Sequence, residues 1–316
     1  MSVVQPRMPK IPASGTPVVA VVGPTASGKS DLAIDLAIAL DGEVVNADSM
    51  ALYRGMDVGT AKLPLDERRG VRHHLYDIWD VTQTASVADY QERARRVVDD
   101  LRAAGRTPVL VGGSGLYVRA VLDHLEFPGT DPVVRGRLEA ELDDVGSGEL
   151  HRRLAGHDEA AAATIHPSNG RRIVRALEVI EITGGPYTAT LPTPRDVYPS
   201  VQIGLDLPRP ELDARIDLRD ERMWANGLVE EVRRHVGQGL REGVTASRAL
   251  GYAQVLRHLN GELTESQALE DTQRATRRFA RRQDTWFRRD LRIHWLPPTT
   301  PDLTATATAL CNPAAV

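Results

Sequence analysis

The chain has 316 residues, 41% hydrophobic and 26% charged, which suits a globular protein with ample apolar material for a core. No window approaches ~18 uninterrupted apolar residues, so no membrane span is expected. The single cysteine, Cys311, excludes an internal disulfide framework or a cysteine-based zinc site and suits a reducing cytoplasm. The net charge of −4 argues mildly against a polyanionic partner. However, eight arginines and only two acids, Asp284 and Asp290, lie between Arg274 and Arg292, and local charge matters more than the total.

Residues 1–16 carry scattered prolines and no apolar block, so they read as a flexible tail and not as a secretory signal. Val18–Val22 (VVAVV) is a short β-branched run ending at Gly23, which predicts a buried strand. Ser30–Leu40 places Leu32, Leu36 and Leu40 four residues apart, which predicts a helix. A strand is predicted at Glu43–Asn46, a helix over Asp89–Ala104 stopped by Gly105, and a strand at Pro108–Val111 closed by Gly112 and Gly113. This alternation implies a parallel α/β sheet with right-handed crossovers. From residue 125 to 198 the strand signal disappears: helical spacing runs to Ile182, and a loop rich in proline and glycine follows. This stretch reads as a helical insertion into a core made of residues 17–124 and 199–300. Val201–Leu207 resumes a strand, the chain is helical from Pro210 to Arg292, and Ile293–Leu296 is a last strand. Residues 301–316, with several Thr, Ala and Pro, read as a second flexible tail.

Gly23-Pro24-Thr25-Ala26-Ser27-Gly28-Lys29-Ser30 fits the phosphate-loop pattern G-x-x-x-x-G-K-[ST], between a predicted strand and a predicted helix. Glycines let successive N–H groups turn inward, and the helix N-terminus adds positive potential. Lys29 supplies a point charge, and Ser30 is the candidate ligand for Mg2+. The loop specifies a polyphosphate, and a diphosphate ester satisfies it as well as ATP does.

Further runs follow in order. Asn46-Ala47-Asp48-Ser49-Met50 precedes Leu52-Tyr53-Arg54-Gly55-Met56-Asp57-Val58-Gly59-Thr60-Ala61-Lys62, and Gly112-Gly113-Ser114-Gly115-Leu116-Tyr117 ends the third strand. Arg171-Arg172-Ile173-Val174-Arg175 follows His166-Pro167. Arg215-Ile216 precedes Arg219 and Met223, and Leu250-Gly251-Tyr252 leads to Arg281-Arg282-Gln283-Asp284-Thr285-Trp286. Together these closely resemble the tRNA dimethylallyltransferase family over residues 17 to 296. The family often has threonine at the position of Ser114 and proline at that of Leu63. The zinc finger of its eukaryotic members is excluded in its usual form by the cysteine count, so the chain resembles the bacterial type.

The resemblance implies a P-loop nucleoside triphosphate hydrolase-like core, transfer of a dimethylallyl group from its diphosphate to N6 of adenosine 37 in the tRNA anticodon loop, and a cytoplasmic monomer using Mg2+. It implies a general base at Asp48, a hydroxyl in the reaction channel at Ser114, and a diphosphate-binding guanidinium at Arg219. The loop Gly23 to Ser30 would hold the diphosphate. The implied tRNA contacts are Asp48, Ser49, Met50, Ala51 and Ser114, then Arg135, Arg171, Arg172, Ile173, Val174 and Arg175. Ser247, Arg248, Gly251, Arg278 and Arg282 complete the set.

Plainer readings stand beside these roles. Asp48 could cap a following helix, Ser114 could be a capping serine, and Arg215 could be a surface ion-pair former. The arginines between Arg274 and Arg292 recur at threes and fours on one helix face and could be a solvated face only. His73, His74, His151 and His157 lack ligand spacing and read as structural or exposed. A small-molecule kinase explains the phosphate loop but not the insertion, the arginine run or Gly112-Gly113-Ser114-Gly115-Leu116-Tyr117. A non-catalytic RNA-binding NTPase would hydrolyse ATP or GTP without depending on a prenyl donor. An adenylate-type prenyltransferase shares the loop and donor but is disfavoured by the long helical insertion.

Overall fold

A computed structural model describes residues 16–187 and 191–311. The segment read as an N-terminal tail lies outside the described residues except for Thr16, whose carbonyl accepts from Arg102 Nε at 2.9 Å. The chain divides into two compact units, one formed by the residues up to His124 together with those from Arg195, the other by Leu125–Pro194. The insertion thus ends four residues earlier than expected. The reason is that Val197 N donates to Leu122 O and Asp196 bridges to Asp123, which returns this stretch to the α/β unit.

The α/β unit is built on six parallel strands in the order β3-β2-β4-β1-β5-β6. These are β1 (Val18–Val22), β2 (Gly42–Asn46), β3 (His73–His74), β4 (Thr107–Gly112), β5 (Ser200–Leu205) and β6 (Ile293–Leu296). Every residue of β1 is buried because both faces of the sheet are covered. Val19 and Val21 face α1 (Lys29–Ala39), while Val18, Ala20 and Val22 join the cluster containing α2 (Val87–Ala103) and α3 (Gly115–Leu122). Helix α2 starts two residues before its predicted start because Ser86 caps it, accepting from Asp89 N at 3.2 Å. The two-residue β3 and the helix α3 carry too little periodicity to be read from sequence.

The helical unit contains α4 (Pro132–His157, interrupted at Gly146), α5 (Glu159–Thr164) and α6 (Gly170–Thr183). Beyond β5 the α/β unit resumes with α7 (Arg209–Ala225), α8 (Leu228–Val236), α9 (Tyr252–Leu259) and α10 (Glu265–Phe287). Part of the segment read as a C-terminal tail is corrected: Leu303–Cys311 forms a helix, α11. Asp302 accepts from Ala305 N at 3.0 Å, and Ala307 and Cys311 bury themselves in the cluster around α1 and the sheet. Alternating Thr and Ala give a mixed propensity, but small side chains allow close approach to α1, and tertiary burial outweighs propensity.

Leu138, Leu150, Leu154, Ile173 and Leu177 form the core of the helical unit. Glu178 is fully buried and accepts from Arg135 at 2.5 Å, Arg175 at 2.8 Å and Asp131 N at 3.2 Å. Burial pushes its carboxyl up, but the hydrogen bonds and charges of Arg135 and Arg175 outweigh this and hold it below the usual range. A depressed carboxyl stabilises the fold above the unfolded value near ~4.3 and loses that contribution as pH falls through the folded value. Glu178→Gln should therefore destabilise the protein by about 2–3 kcal/mol at neutral pH through lost charge-assisted bonds. The difference from wild type should narrow toward acid, as read by urea unfolding at several pH values.

Candidate active site

The carboxyl ends of β1, β2 and β4 open into a cleft of about 510 Å³, where ligands of open parallel sheets bind. The phosphate loop forms one wall. Gly23 (φ 140°) and Gly28 (φ 91°) take backbone conformations that glycine permits, and Ala26 (φ 63°) adopts the left-handed region at some strain. Lys29 bends back over the loop, with Nζ donating to Pro24 O at 3.2 Å. Ser27 Oγ is buried and has no hydrogen-bond partner. Ser30 is exposed and lines the cleft.

One donor expected of the loop is corrected. Thr25 N–H does not await a phosphate, because it donates to Gln283 Oε1 of α10 at 2.9 Å. The Thr25 hydroxyl accepts from Arg219 Nη1, on α7, at 2.5 Å. An anion at the loop is left with the N–H groups from Ala26 onward, the α1 N-terminus, Lys29 and Arg219.

Two half-buried cations, Lys29 and Arg219, line this cleft. Burial lowers Lys29 to about 8, with Asp48 opposing the shift and Arg219 adding to it. Burial also lowers Arg219, against the pull of Asp220 and Asp48. Asp220, buried beside them, is pushed up to about 6 by burial, and its Oδ2 has no partner. An environment that disfavours the charge of Lys29 is one that an anionic ligand would relieve.

Asp48 follows β2 and lines the same cleft. Its Oδ1 accepts from Met50 N at 2.9 Å and its own N–H donates to Asn46 Oδ1 at 2.9 Å. No helix follows, so the helix-cap reading fails, and one carboxylate oxygen has no described partner. Ser114 precedes α3 without capping it. Instead its Oγ accepts from Ser49 N and donates to Ser49 Oγ, both at 3.2 Å. The structure thus brings Asp48, Ser49, Ser114, Lys29 and Arg219 into one α/β unit around this edge. Met50, Ala51, Arg248, Gly251 and Arg282 line the cleft, whereas Ser247 sits in the adjoining turn (Ala246–Arg248) and does not.

The RNA contacts expected on the helical unit differ in exposure and in the partners they already have. Ile173 and Val174 are buried in the core of the helical unit. Arg135 and Arg175 are spent on Glu178, and Arg175 also on the carbonyls of Pro128 and Gly129. Arg171 and Arg172 remain exposed on α6. Arg215 pairs with Glu211 at 2.7 Å on the surface, which is its plainer reading.

The arginine run divides. Arg277 pairs with Asp217. Arg288 pairs with Asp206 and Asp284 and stacks 3.8 Å over Trp295. Arg292 lies beyond the helix and binds Asp123, Asp196 and Asp290. Arg278 and Arg282 carry no described acidic partner, and Arg282 is exposed. Two of the histidines are visibly structural: His74 meets Glu43 at 2.5 Å, and His151 meets the carbonyls of Ala162 and Ile165.

Sequence reasoning missed Gln283, Asp220 and Asn46 as site residues. Two of them had a signal. Gln283 stands on the same helical stripe as Ala280 and Phe287, and Asp220 on that of Ile216 and Met223. A polar residue on a core-facing stripe is an exception that calls for a partner.

The family model for IPP transferase matches residues 51–290. A tRNA dimethylallyltransferase of Thermobifida fusca is 68% identical over 298 residues, 93% of each chain, and one of Salinispora tropica is 65% identical over 303 residues, 96% of this chain and 95% of its own. The solved full-length tRNA isopentenylpyrophosphate transferase from Bacillus halodurans shares 40% identity over 95% of each chain with a TM-score of 0.69. A solved eukaryotic dimethylallyltransferase, 23% identical over 93% of this chain and 78% of its own with a TM-score of 0.76, shares the fold.

The lowered Lys29 predicts how the loop binds an anion. Below pH about 8 the ammonium is present before binding, while above it binding must recapture a proton. The ratio of pyrophosphate affinity in wild type to that in Lys29→Met should thus fall as pH rises from 7 to 10, by at most about tenfold per unit. Taking the ratio cancels the titration of pyrophosphate itself. Isothermal titration calorimetry reads it, and a flat ratio would contradict the assignment.

Proposed function

Since the chain belongs to the tRNA dimethylallyltransferase family, and so prenylates tRNA, we propose that its cleft takes dimethylallyl diphosphate as donor and N6 of adenosine 37 as acceptor. In this reading the protein works as a cytoplasmic monomer. No described helix is long and apolar enough to cross a membrane.

The observation that supports this most is that two half-buried cations and one carboxylate line the same cleft. Lys29 and Arg219 hold the diphosphate together with the loop N–H groups, as a fixed anion site. The Asp48 carboxylate lines the same cleft and has an oxygen free to accept. The adenosine swings out of the anticodon loop so that its N6 reaches the cleft, as bases do when chemistry needs a stacked atom. The N6 nitrogen forms a bond to the allylic carbon, and the carbon–oxygen bond breaks with its electron pair leaving on diphosphate. Asp48 accepts the proton lost by the amine. Arg219 and Lys29 stabilise the charge that grows on the leaving group without reorganising. Ser114 holds Ser49 and, through it, the backbone next to Asp48.

Among the described residues no cluster of three His, Cys, Asp or Glu could hold a metal ion. Mg2+ would therefore be bound here largely by phosphate oxygens and water, with the cleft-lining Ser30 hydroxyl as its protein ligand. When bound, the ion neutralises charge on the diphosphate. Arg278 and Arg282, with the exposed Arg171 and Arg172 on the helical unit, are the arginines assigned to RNA phosphates.

The direct test is mass spectrometry of tRNA nucleosides after incubation with dimethylallyl diphosphate and Mg2+. Formation of N6-(dimethylallyl)adenosine at position 37 is expected, and its absence would sink the donor and acceptor assignment. Asp48→Ala should lower the single-turnover rate by about 10²–10⁴ while tRNA binding persists. The arginines give a separate prediction. Arg278→Gln with Arg282→Gln should reduce the slope of log affinity against log salt by about 0.7 for each phosphate no longer neutralised. Arg277→Gln, which removes a brace to Asp217, should lower the melting temperature and leave that slope unchanged.

A further inference from the structure

Gln283 is buried, and both ends of its amide are used over long sequence separations. Oε1 accepts from Thr25 N at 2.9 Å, and Nε2 donates to Gly113 O at 2.9 Å. The two partners follow the ends of neighbouring strands, β1 and β4, and lead to different functional groups. Thr25 carries the hydroxyl that Arg219 donates to, on the side assigned to the donor diphosphate. Gly113 precedes Ser114, which holds Ser49 beside Asp48, on the side assigned to the acceptor amine. Gln283 thus ties the phosphate loop to the end of β4 through a single side chain. The packing leaves little slack, because a Cβ added at Gly113 would meet the Gln283 amide and one at Gly115 would meet the Trp286 indole.

We propose that Gln283 is a positioning residue that sets the spacing between the reacting carbon of the donor and the nitrogen of the acceptor. It touches neither substrate. It holds the two backbone segments that carry the groups touching them. A cleft whose walls drift by a fraction of an ångström still binds each substrate on its own wall, but it loses the near-attack alignment that makes the step unimolecular. The predicted signature is a loss in kcat with little change in binding. The inference rests on the assignment of Arg219 and Asp48 to donor and acceptor. Asp48→Ala and Arg219→Ala test that assignment, through the single-turnover rate and the use of the donor respectively, and Gln283 variants test the spacing, so each can fail alone.

The experiment uses the full chain with tRNA and dimethylallyl diphosphate. Gln283→Met preserves length and removes both bonds. It should lower kcat by about 10²-fold while donor KM and tRNA affinity stay within about threefold of wild type. A variant with wild-type kcat, or one with raised donor KM and unchanged kcat, would overturn the proposal. Gln283→Glu provides a second readout should the methionine variant fold poorly. Its carboxylate can accept from Thr25 N–H but has no proton for Gly113 O, while its neutral acid supplies both bonds. The ratio of its activity to that of wild type should therefore rise as pH is lowered from 8 to about 5.5, near where a buried carboxyl gains its proton. A ratio that does not change with pH would show that the link to Gly113 is merely structural and would also overturn the proposal.

Discussion

Two cations, Lys29 and Arg219, are half-buried in one cleft at the carboxyl edge of a parallel sheet, and the rest of the site is arranged around that fact. A buried ammonium or guanidinium is costly unless opposite charge or hydrogen bonds compensate it. Among the described residues, Lys29 finds the Pro24 carbonyl and the field of Asp48, and Arg219 finds the Thr25 hydroxyl and the fields of Asp220 and Asp48. Such partial compensation leaves the cleft poised for a polyanion. The carboxylate that offsets both cations, Asp48, is the one proposed above as proton acceptor, so in that reading one charge serves both the resting fold and the chemistry.

Holding those cations in place demands a rigid backbone on both sides. The run Gly112-Gly113-Ser114-Gly115 supplies it through close approach. A Cβ at Gly112 would run into Ala47, and helix α10 lays Gln283 and Trp286 against Gly113 and Gly115. Helix α10 therefore carries both a side chain that lines the cleft and side chains that brace its walls. Arg282, which lines the cleft, is one residue from Gln283, whose amide grips the phosphate loop.

The local features were legible because they depend on neighbours in sequence. Val18–Val22 reads as a buried strand from its β-branched run, and the loop from Gly23 to Ser30 reads as an anion cradle from its flanks. What was not legible depends on distant partners. Nothing near Thr25 in sequence says that its N–H is taken by a residue 258 positions away. The Leu303–Cys311 helix was hidden by its weak pattern, since its order comes from the α1 surface it covers. Ile173 and Val174 could not be separated from Arg171 and Arg172 until α6 showed which face of that stretch is buried.

The arginine run shows how an acidic protein can present a basic surface. Charge counting treats the eight arginines from Arg274 to Arg292 as equivalent, but many of their acids lie elsewhere in the chain: Asp217, Asp206, Asp123 and Asp196. Those acids pair with Arg277, Arg288 and Arg292 and so fasten α10 and the β6 edge to the rest of the α/β unit. An arginine so engaged keeps its charge but has spent donors that would fork onto a phosphate. Arg278 and Arg282 stand outside these braces, on the same helix that Gln283 anchors. The net charge of −4 is then no obstacle to a nucleic-acid substrate, because much of the acid is consumed in bracing and the surplus of positive charge is local.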